Sequence, residues 1–254
     1  PRGPAPYADR TGQAAGSPYA PVPHAPSASP VTAFSSASPD YGSDYDATGL
    51  PIVDTRGWNA GVRLDAGGDR GGITAALTRG ALSNPLSRSG SPGWQVAGRV
   101  AAQPTPGLVV GLSGVGGRYG RAPSRGAALN ETVLGADVEW SRDYWLVRGE
   151  VVHSRRDAWW DDGRHALQVT GLDIEARYRL LPGLSAAARA GRLWFGQSPS
   201  GAAWDADVSR LEAGFGWSPS RPALVKVSYQ YNRRPDGPGR HTLHRAAVQA
   251  LVWF

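Results

Sequence analysis

The chain of 254 residues contains no cysteine and no methionine, and Lys226 is its single lysine. Without cysteine, a disulfide framework, thiol catalysis and the commonest structural zinc sites are excluded. The lack of any methionine, an initiator included, predicts a mature form or a fragment from which any signal peptide has been removed. All the other basic residues, histidine aside, are arginines. The codon bias of a GC-rich genome is one explanation of this excess of arginine over lysine, and a functional arginine surface is the other.

Long apolar runs are also missing, and the mean hydropathy of -0.35 is low. No stretch reaches the roughly 18 apolar residues that a transmembrane helix needs. The 34 glycines and 21 prolines leave little room for long helices of any kind. A transmembrane β-barrel remains compatible with this composition, because only every second residue of its strands faces lipid.

The texture of the sequence divides the chain into two parts. Residues 1–55 are rich in Pro, Ala, Ser and Gly without a sustained period, which predicts a disordered or extended segment. Residues 56–254 alternate in strand period, which predicts an all-β, antiparallel up-and-down transmembrane β-barrel. About eleven strands are predicted, at residues 58–66, 73–79, 94–103, 108–115, 132–141, 144–154, 167–180, 184–195, 208–217, 223–232 and 243–254.

The connections between these strands alternate in length, as they do in outer-membrane barrels with periplasmic turns and external loops. The short ones are 67–70, 104–106, 142–143, 182–183 and 219–222, and the long ones are 80–93, 116–131, 155–164, 196–207 and 233–241. The predicted localisation is therefore the bacterial outer membrane. Because such barrels have an even number of strands, at least one strand should precede the first, giving 12 or more in the full barrel. Residues 30–36 are one candidate, and a longer precursor is the other explanation.

Charged residues alternate with apolar ones along the predicted strands, so one face is suited to a lumen and the other to lipid. Opposite charges on the lumen face are nearly balanced, which favours cross-strand ion pairs over a strongly selective filter. The predicted lumen residues are Arg63, Arg99, Asp137, Glu139, Arg148, Glu150, Asp173, Glu175, Arg177, Arg179, Arg210, Glu212, Lys226 and Arg245. The predicted membrane-interface residues are Trp140, Trp145, Trp217, Tyr229, Tyr231 and Phe254.

The predicted external loops are basic. Their arginines could draw anionic solutes to a mouth or hold lipopolysaccharide phosphates, and they could equally be solvated loop residues without a role. They are Arg118, Arg121, Arg125, Arg155, Arg156, Arg164, Arg233, Arg234 and Arg240.

Signatures of catalysis are sparse. No phosphate-binding GxxxxGK[ST] loop and no HExxH motif occurs, and no metal or cofactor site is predicted. Asp161, Asp162 and His165 form the one candidate set for an outer-membrane hydrolase. The pI of about 10.0 does not indicate nucleic-acid binding, because the arginines alternate with acids and no nucleic-acid fold is recognisable.

Several stretches resemble the C-terminal half of porin-like outer-membrane proteins, in particular the phosphate-selective porin O and P group. They are residues 135–141, 148–150, 175–178, 210–214 and 226–232. The resemblance implies a barrel that conducts small, often anionic, solutes and is inserted by the barrel assembly machinery. We expect a passive channel for small hydrophilic solutes without enzymatic activity. A closed barrel with a structural or surface-binding role is the alternative, and a homo-oligomer stays open.

Overall fold

The computed structural model describes residues 59–80, 93–121, 126–160, 163–197, 207–220, 223–234 and 241–252, together with Gly201 and Ala203. These residues form eleven strands in a single sheet. The strands are β1 Ala60–Gly68, β2 Gly71–Arg79, β3 Trp94–Thr105, β4 Leu108–Arg121, β5 Ala128–Arg142, β6 Trp145–Trp160, β7 Gly163–Leu181, β8 Leu184–Phe195, β9 Val208–Ser220, β10 Ala223–Arg234 and β11 His241–Val252. The predicted all-β fold is confirmed.

Each strand pairs antiparallel with the next one along the chain, in the order β1 to β11. This up-and-down order follows from very short connections at one end of the sheet. Pro106-Gly107 and Pro182-Gly183 each join two strands, with φ values of 82° at Gly107 and 80° at Gly183. Proline fixes the first turn residue and glycine accepts the positive φ of the second, so the chain reverses within two residues.

The opposite end of the sheet differs from the sequence prediction. The predicted long connection 155–164 is wrong, because β6 continues to Trp160 and β7 begins at Gly163. The predicted loop 116–131 is also shortened from both sides by β4 and β5. Polar residues that look like loop in the sequence are compatible with strand where a barrel wall rises beyond the lipid, since water then bathes both faces.

The two outermost strands have one neighbour each in the part of the chain that the structure describes. No ladder joins β1 to β11 there, and every residue of β1 is exposed. The closed barrel of twelve or more strands stays a prediction. Residues 1–55 and Phe254, which the sequence analysis assigned to an extended segment and the membrane interface, lie outside the described residues. No helix within the described ranges is long and apolar enough to cross a membrane.

Candidate functional site

One face of the sheet carries the charged residues predicted to line a lumen. Burial alternates along β9, where Arg210 and Glu212 are 2% and 4% exposed and Leu211 between them is 56% exposed. A single-layered sheet can bury one face only by curving around it, so that its side chains cover one another. We call the buried side the inner face and the apolar, exposed side the outer face.

All fourteen predicted lumen residues lie on the inner face. Six are buried, namely Glu150, Asp173, Glu175, Arg210, Glu212 and Lys226. Five are half-buried, namely Arg99, Asp137, Glu139, Arg148 and Arg177, and three are exposed, namely Arg63, Arg179 and Arg245. The exposed Arg63 and Arg245 belong to the two edge strands, where one flank is open. Contact with solute remains a prediction for all of them.

A row of alternating charges, neutral only at Gln230, crosses the inner face from β5 to β11, with each residue directly opposite the next. Its members in order are Glu139, Arg148, Glu175, Arg189, Glu212, Gln230 and Arg245. Arg148 Nε donates a hydrogen bond to Glu139 Oε2 at 2.7 Å. Opposite charges at facing positions attract, and the row therefore fixes the predicted cross-strand pairing along one line of the ladder. We call it the charge-alternating row.

A second row, one position nearer the end with the longer connections, is acidic. Asp137, Glu150 and Asp173 face one another on β5, β6 and β7. Like charges at facing positions repel, so they require cations from other strands. Arg99 Nη2 donates to Asp137 Oδ1 at 2.8 Å, and Arg189 Nε donates to Asp173 Oδ2 at 2.6 Å.

The pair formed by Arg99 and Asp137 spans an intervening strand. Arg99 lies on β3 and Asp137 on β5, and the residue of β4 directly opposite Asp137 is Gly111. A Cβ atom built on Gly111 would meet Arg99 Nη2 and would lie 2.6 Å from Asp137 Oδ2. Glycine at this position therefore leaves the space through which the guanidinium reaches the carboxylate.

The same arrangement recurs nearer the long connections. Gln95 on β3 donates from Nε2 to Glu131 Oε1 on β5, passing over Gly117 of β4. Arg156 lies opposite Glu131 on the next strand. Gln95 and Glu131 were not predicted as lumen residues and Arg156 was assigned to a loop. The faces of Glu131 and Arg156 could have been predicted from the sequence. Glu131 is an even number of residues from Asp137, and Arg156 is an even number from Glu150, so each shares a face with the residue predicted to line the lumen.

Two buried cations complete the inner face on β9 and β10. Arg210 Nε donates to Asn232 Oδ1 at 2.6 Å. Lys226 lies opposite Gly216 on one side and Gln249 on the other. Because Gly216 has no side chain, Lys226 has room to lie across it instead of extending into solvent. This agrees with an exposed fraction of 4% for Lys226.

Part of the inner face is apolar, which the sequence analysis did not predict. Buried small and branched residues form two clusters, Ala76, Ala97, Val115, Val133 and Val152 in one and Val169, Leu193 and Val208 in the other. On β5 to β9, Val133, Val152, Val169, Leu193 and Val208 lie beyond the acidic row, toward the longer connections. The charged rows are thus bordered by an apolar zone, and on β5 and β6 the facing charges Glu131 and Arg156 lie beyond it, nearer the longer connections.

The outer face has an aromatic cluster near the short turns. Trp140, Trp145, Tyr178 and Trp217 all project from this face, and the rings of Trp145 and Tyr178 are 4.7 Å apart. Such a girdle suits a membrane–water boundary. Tyr229 and Tyr231 share the outer face but lie further along β10, where Tyr231 and His244 have ring centroids 5.2 Å apart.

The hydrolase interpretation finds no assembled site in the described structure. Asp161 and Asp162 lie outside the described residues. His165 is on β7 opposite Ala158 of β6. Among the described residues, no group of three or more histidines and carboxylates could hold a metal ion.

Comparison with solved structures identifies the fold. The outer membrane channel DcaP of Acinetobacter baumannii matches with a TM-score of 0.64 at 12% identity, over 76% of this chain and 62% of that one. OmpT, an outer membrane protein of Vibrio cholerae, matches with a TM-score of 0.56 at 14% identity, over 81% of this chain and 69% of that one. An anion-selective porin from Comamonas acidovorans gives 0.54 at 9% identity, over 77% of this chain and 55% of that one.

These likenesses confirm the predicted porin-like outer-membrane β-barrel fold, and the predicted localisation agrees with that fold. The chain spans about 62% of the length of DcaP. No protein-family model matches the chain, and no curated protein matches its sequence.

Proposed function

We propose that this chain, which has the fold of bacterial outer-membrane porins, forms the wall of a passive channel for small hydrophilic solutes. The charge-alternating row carries the proposal. A wall that places seven polar or charged side chains on its inner face in one row, opposite an apolar outer face, is organised for lipid outside and water inside. Passage requires no covalent chemistry from these residues.

The same row bears on solute class. Cations and carboxylates are interleaved at its facing positions. Arg148 is bonded to Glu139 within the row, and Arg99 and Arg189 are bonded to Asp137 and Asp173 of the acidic row. Paired charges leave little net field along the channel, so we expect weak ion selectivity, with anions among the permeant solutes. The proposal includes insertion of the chain into the outer membrane by the barrel assembly machinery, which is expected from the resemblance to porin-like proteins.

A closed barrel with a structural or surface-binding role is a second candidate, and one observation favours it. The inner apolar zone and the deep burial of Arg210 and Glu175, each 2% exposed, are also what a filled lumen would show. Narrow barrels are filled by their own side chains and conduct nothing.

Liposome swelling separates the two candidates. The full-length protein is refolded into vesicles, which are then diluted into isotonic solutions of neutral sugars of increasing mass. The channel proposal expects swelling whose rate falls as the sugar grows, and it expects none with heat-denatured protein. A correctly folded protein that leaves every vesicle unswollen would support the closed barrel instead.

A further inference from the structure

Five arginines stand at nearly the same height on the outer face. They are Arg79, Arg118, Arg155, Arg192 and Arg233, one on each of the strands β2, β4, β6, β8 and β10 that start at a short turn. Counted from the first residue of its strand, Arg79 and Arg192 stand 8 residues along, and Arg118, Arg155 and Arg233 stand 10 residues along. We call these five residues the arginine belt.

The belt marks the end of the apolar outer face. All five arginines are exposed. Below them, toward the short turns, the outer face of these five strands contains no Arg, Lys, Asp or Glu among the described residues. The first charged side chain on that face of every one of these strands is thus an arginine. Codon bias would supply arginine throughout the chain, but it would not select one face and one height.

The height of the belt agrees with a lipid boundary. A strand rises about 3.3 to 3.4 Å per residue, so 8 to 10 residues cover about 26 to 34 Å along the strand. With a strand tilt of about 40°, this becomes about 20 to 26 Å along the barrel axis. The outward apolar band of outer-membrane barrels is about 25 Å tall. The arginines therefore lie where acyl chains give way to lipid headgroups.

The chemistry of the belt fits phosphate. Guanidinium groups bind phosphate through two parallel hydrogen bonds, and all five residues of the belt carry a guanidinium. Two carboxylates adjoin the belt, Asp207 beside Arg192 and Asp157 on the same face of β6 as Arg155. Arg192 already binds one carboxylate oxygen, because its Nη2 lies 3.2 Å from Asp207 Oδ2 while its guanidinium stacks 5.2 Å from the ring centre of Trp194. Polar outer-face residues on the intervening strands, Thr132 and Gln168 among them, add further hydrogen-bonding groups beside Arg155.

We propose that the arginine belt binds the phosphorylated headgroups of lipopolysaccharide in the outer leaflet. The belt lies at the end of the sheet with the longer connections, which are the external ones, and so it meets the outer leaflet. The aromatic cluster lies at the other end and so meets the inner leaflet. The proposal rests on the outer-membrane placement within the proposed function. It does not depend on whether the lumen conducts.

The test uses the full-length protein refolded in detergent, with diphosphoryl lipid A and monophosphoryl lipid A as probes and native mass spectrometry to count bound lipid. The double variant R118Q/R155Q removes two belt arginines. Its matched control, R70Q/R142Q, removes two exposed arginines at the short turns and changes the net charge equally. Conductance is recorded on the same preparations, so that failure of the channel and failure of lipid binding are distinguished.

We expect the wild-type protein and R70Q/R142Q to bind diphosphoryl lipid A alike and more tightly than the monophosphoryl form. We expect R118Q/R155Q to bind diphosphoryl lipid A about tenfold more weakly, because two charge-assisted contacts are lost. If R118Q/R155Q does not fold, R79Q/R233Q takes its place with the same expectation. Equal binding by belt variant and wild type, an equal loss in R70Q/R142Q, or indifference to the number of phosphates would overturn the proposal.

Discussion

Replacing Gly111 by alanine should break the ion pair between Arg99 and Asp137. A Cβ at this position would lie 2.6 Å from Asp137 Oδ2, nearer than real Cβ contacts come, and it would also meet Arg99 Nη2. The side chains of Asp137 and Arg99 are 6% and 21% exposed, so neither is fully rehydrated when the pair opens. The ends of both charged side chains must move, and we expect the bidentate contact to be lost as they do.

The magnitude follows from two opposing effects. Losing hydrogen bonds between charged, part-buried groups costs about 2 to 3 kcal/mol. Alanine in place of a strand glycine returns about 0.5 to 1 kcal/mol, because it restricts the unfolded chain. We therefore expect Gly111→Ala to lower the free energy of unfolding by about 2 kcal/mol. Urea titration of the barrel in lipid vesicles, followed by tryptophan fluorescence, measures it.

The chain offers a matched control on the same strand. A Cβ at Gly116, on the outer face of β4, would meet nothing within 4 Å. Gly116→Ala should therefore be neutral or slightly stabilising. In an R99Q/D137N background, where no ion pair remains to be broken, Gly111→Ala should also cost little. A loss of 2 kcal/mol in that background, or equal effects at Gly111 and Gly116, would refute the reasoning.

Two further predictions concern the charge-alternating row. Arg189→Gln removes the ion-pair partner of Asp173 and leaves Glu175 and Glu212 facing a neutral residue, on an inner face where Arg189 is only 3% exposed. The free energy of unfolding in the same urea titration should therefore fall by about 3 kcal/mol or more. A change below about 1 kcal/mol would contradict the pairing. Arg148→Gln removes the partner of Glu139, so the reversal potential across a bilayer should shift toward cation preference, and an unchanged or anionic shift would show that this pair does not face the permeation path.

Much of the fold could be predicted from alternation alone. The predicted bounds of β8, 184–195, are those of the structure, because apolar and polar residues alternate from the Pro-Gly turn onward. The ends of β6 and β7 nearest the longer connections were wrongly assigned to a loop, because charged residues such as Arg155 and Asp157 are typical of loops. Above the lipid, a strand tolerates them on either face, and only its register with a neighbour shows that it continues.

The inner face could be predicted as a set but not as rows. Parity placed Arg99 and Asp137 on the same side, yet their contact depends on Gly111 of the strand between them. Register across several strands accumulates from turn lengths and from irregularities such as that between Ala102 and Thr105. The periodicity of a single strand does not reveal this accumulated register. For the same reason Arg118, Arg155 and Arg233 were assigned to basic external loops, whereas the structure places them on strands, at nearly the same height as Arg79 and Arg192.

The most direct test of the account is single-channel conductance in a planar bilayer with the full-length protein refolded in detergent. A channel lined by the charge-alternating row predicts discrete, stable conductance steps, with a reversal potential in a salt gradient that indicates only weak ion preference. A folded, heat-modifiable barrel that inserts into the bilayer and yet conducts no current would contradict the central claim and leave the closed barrel as the explanation of this inner face.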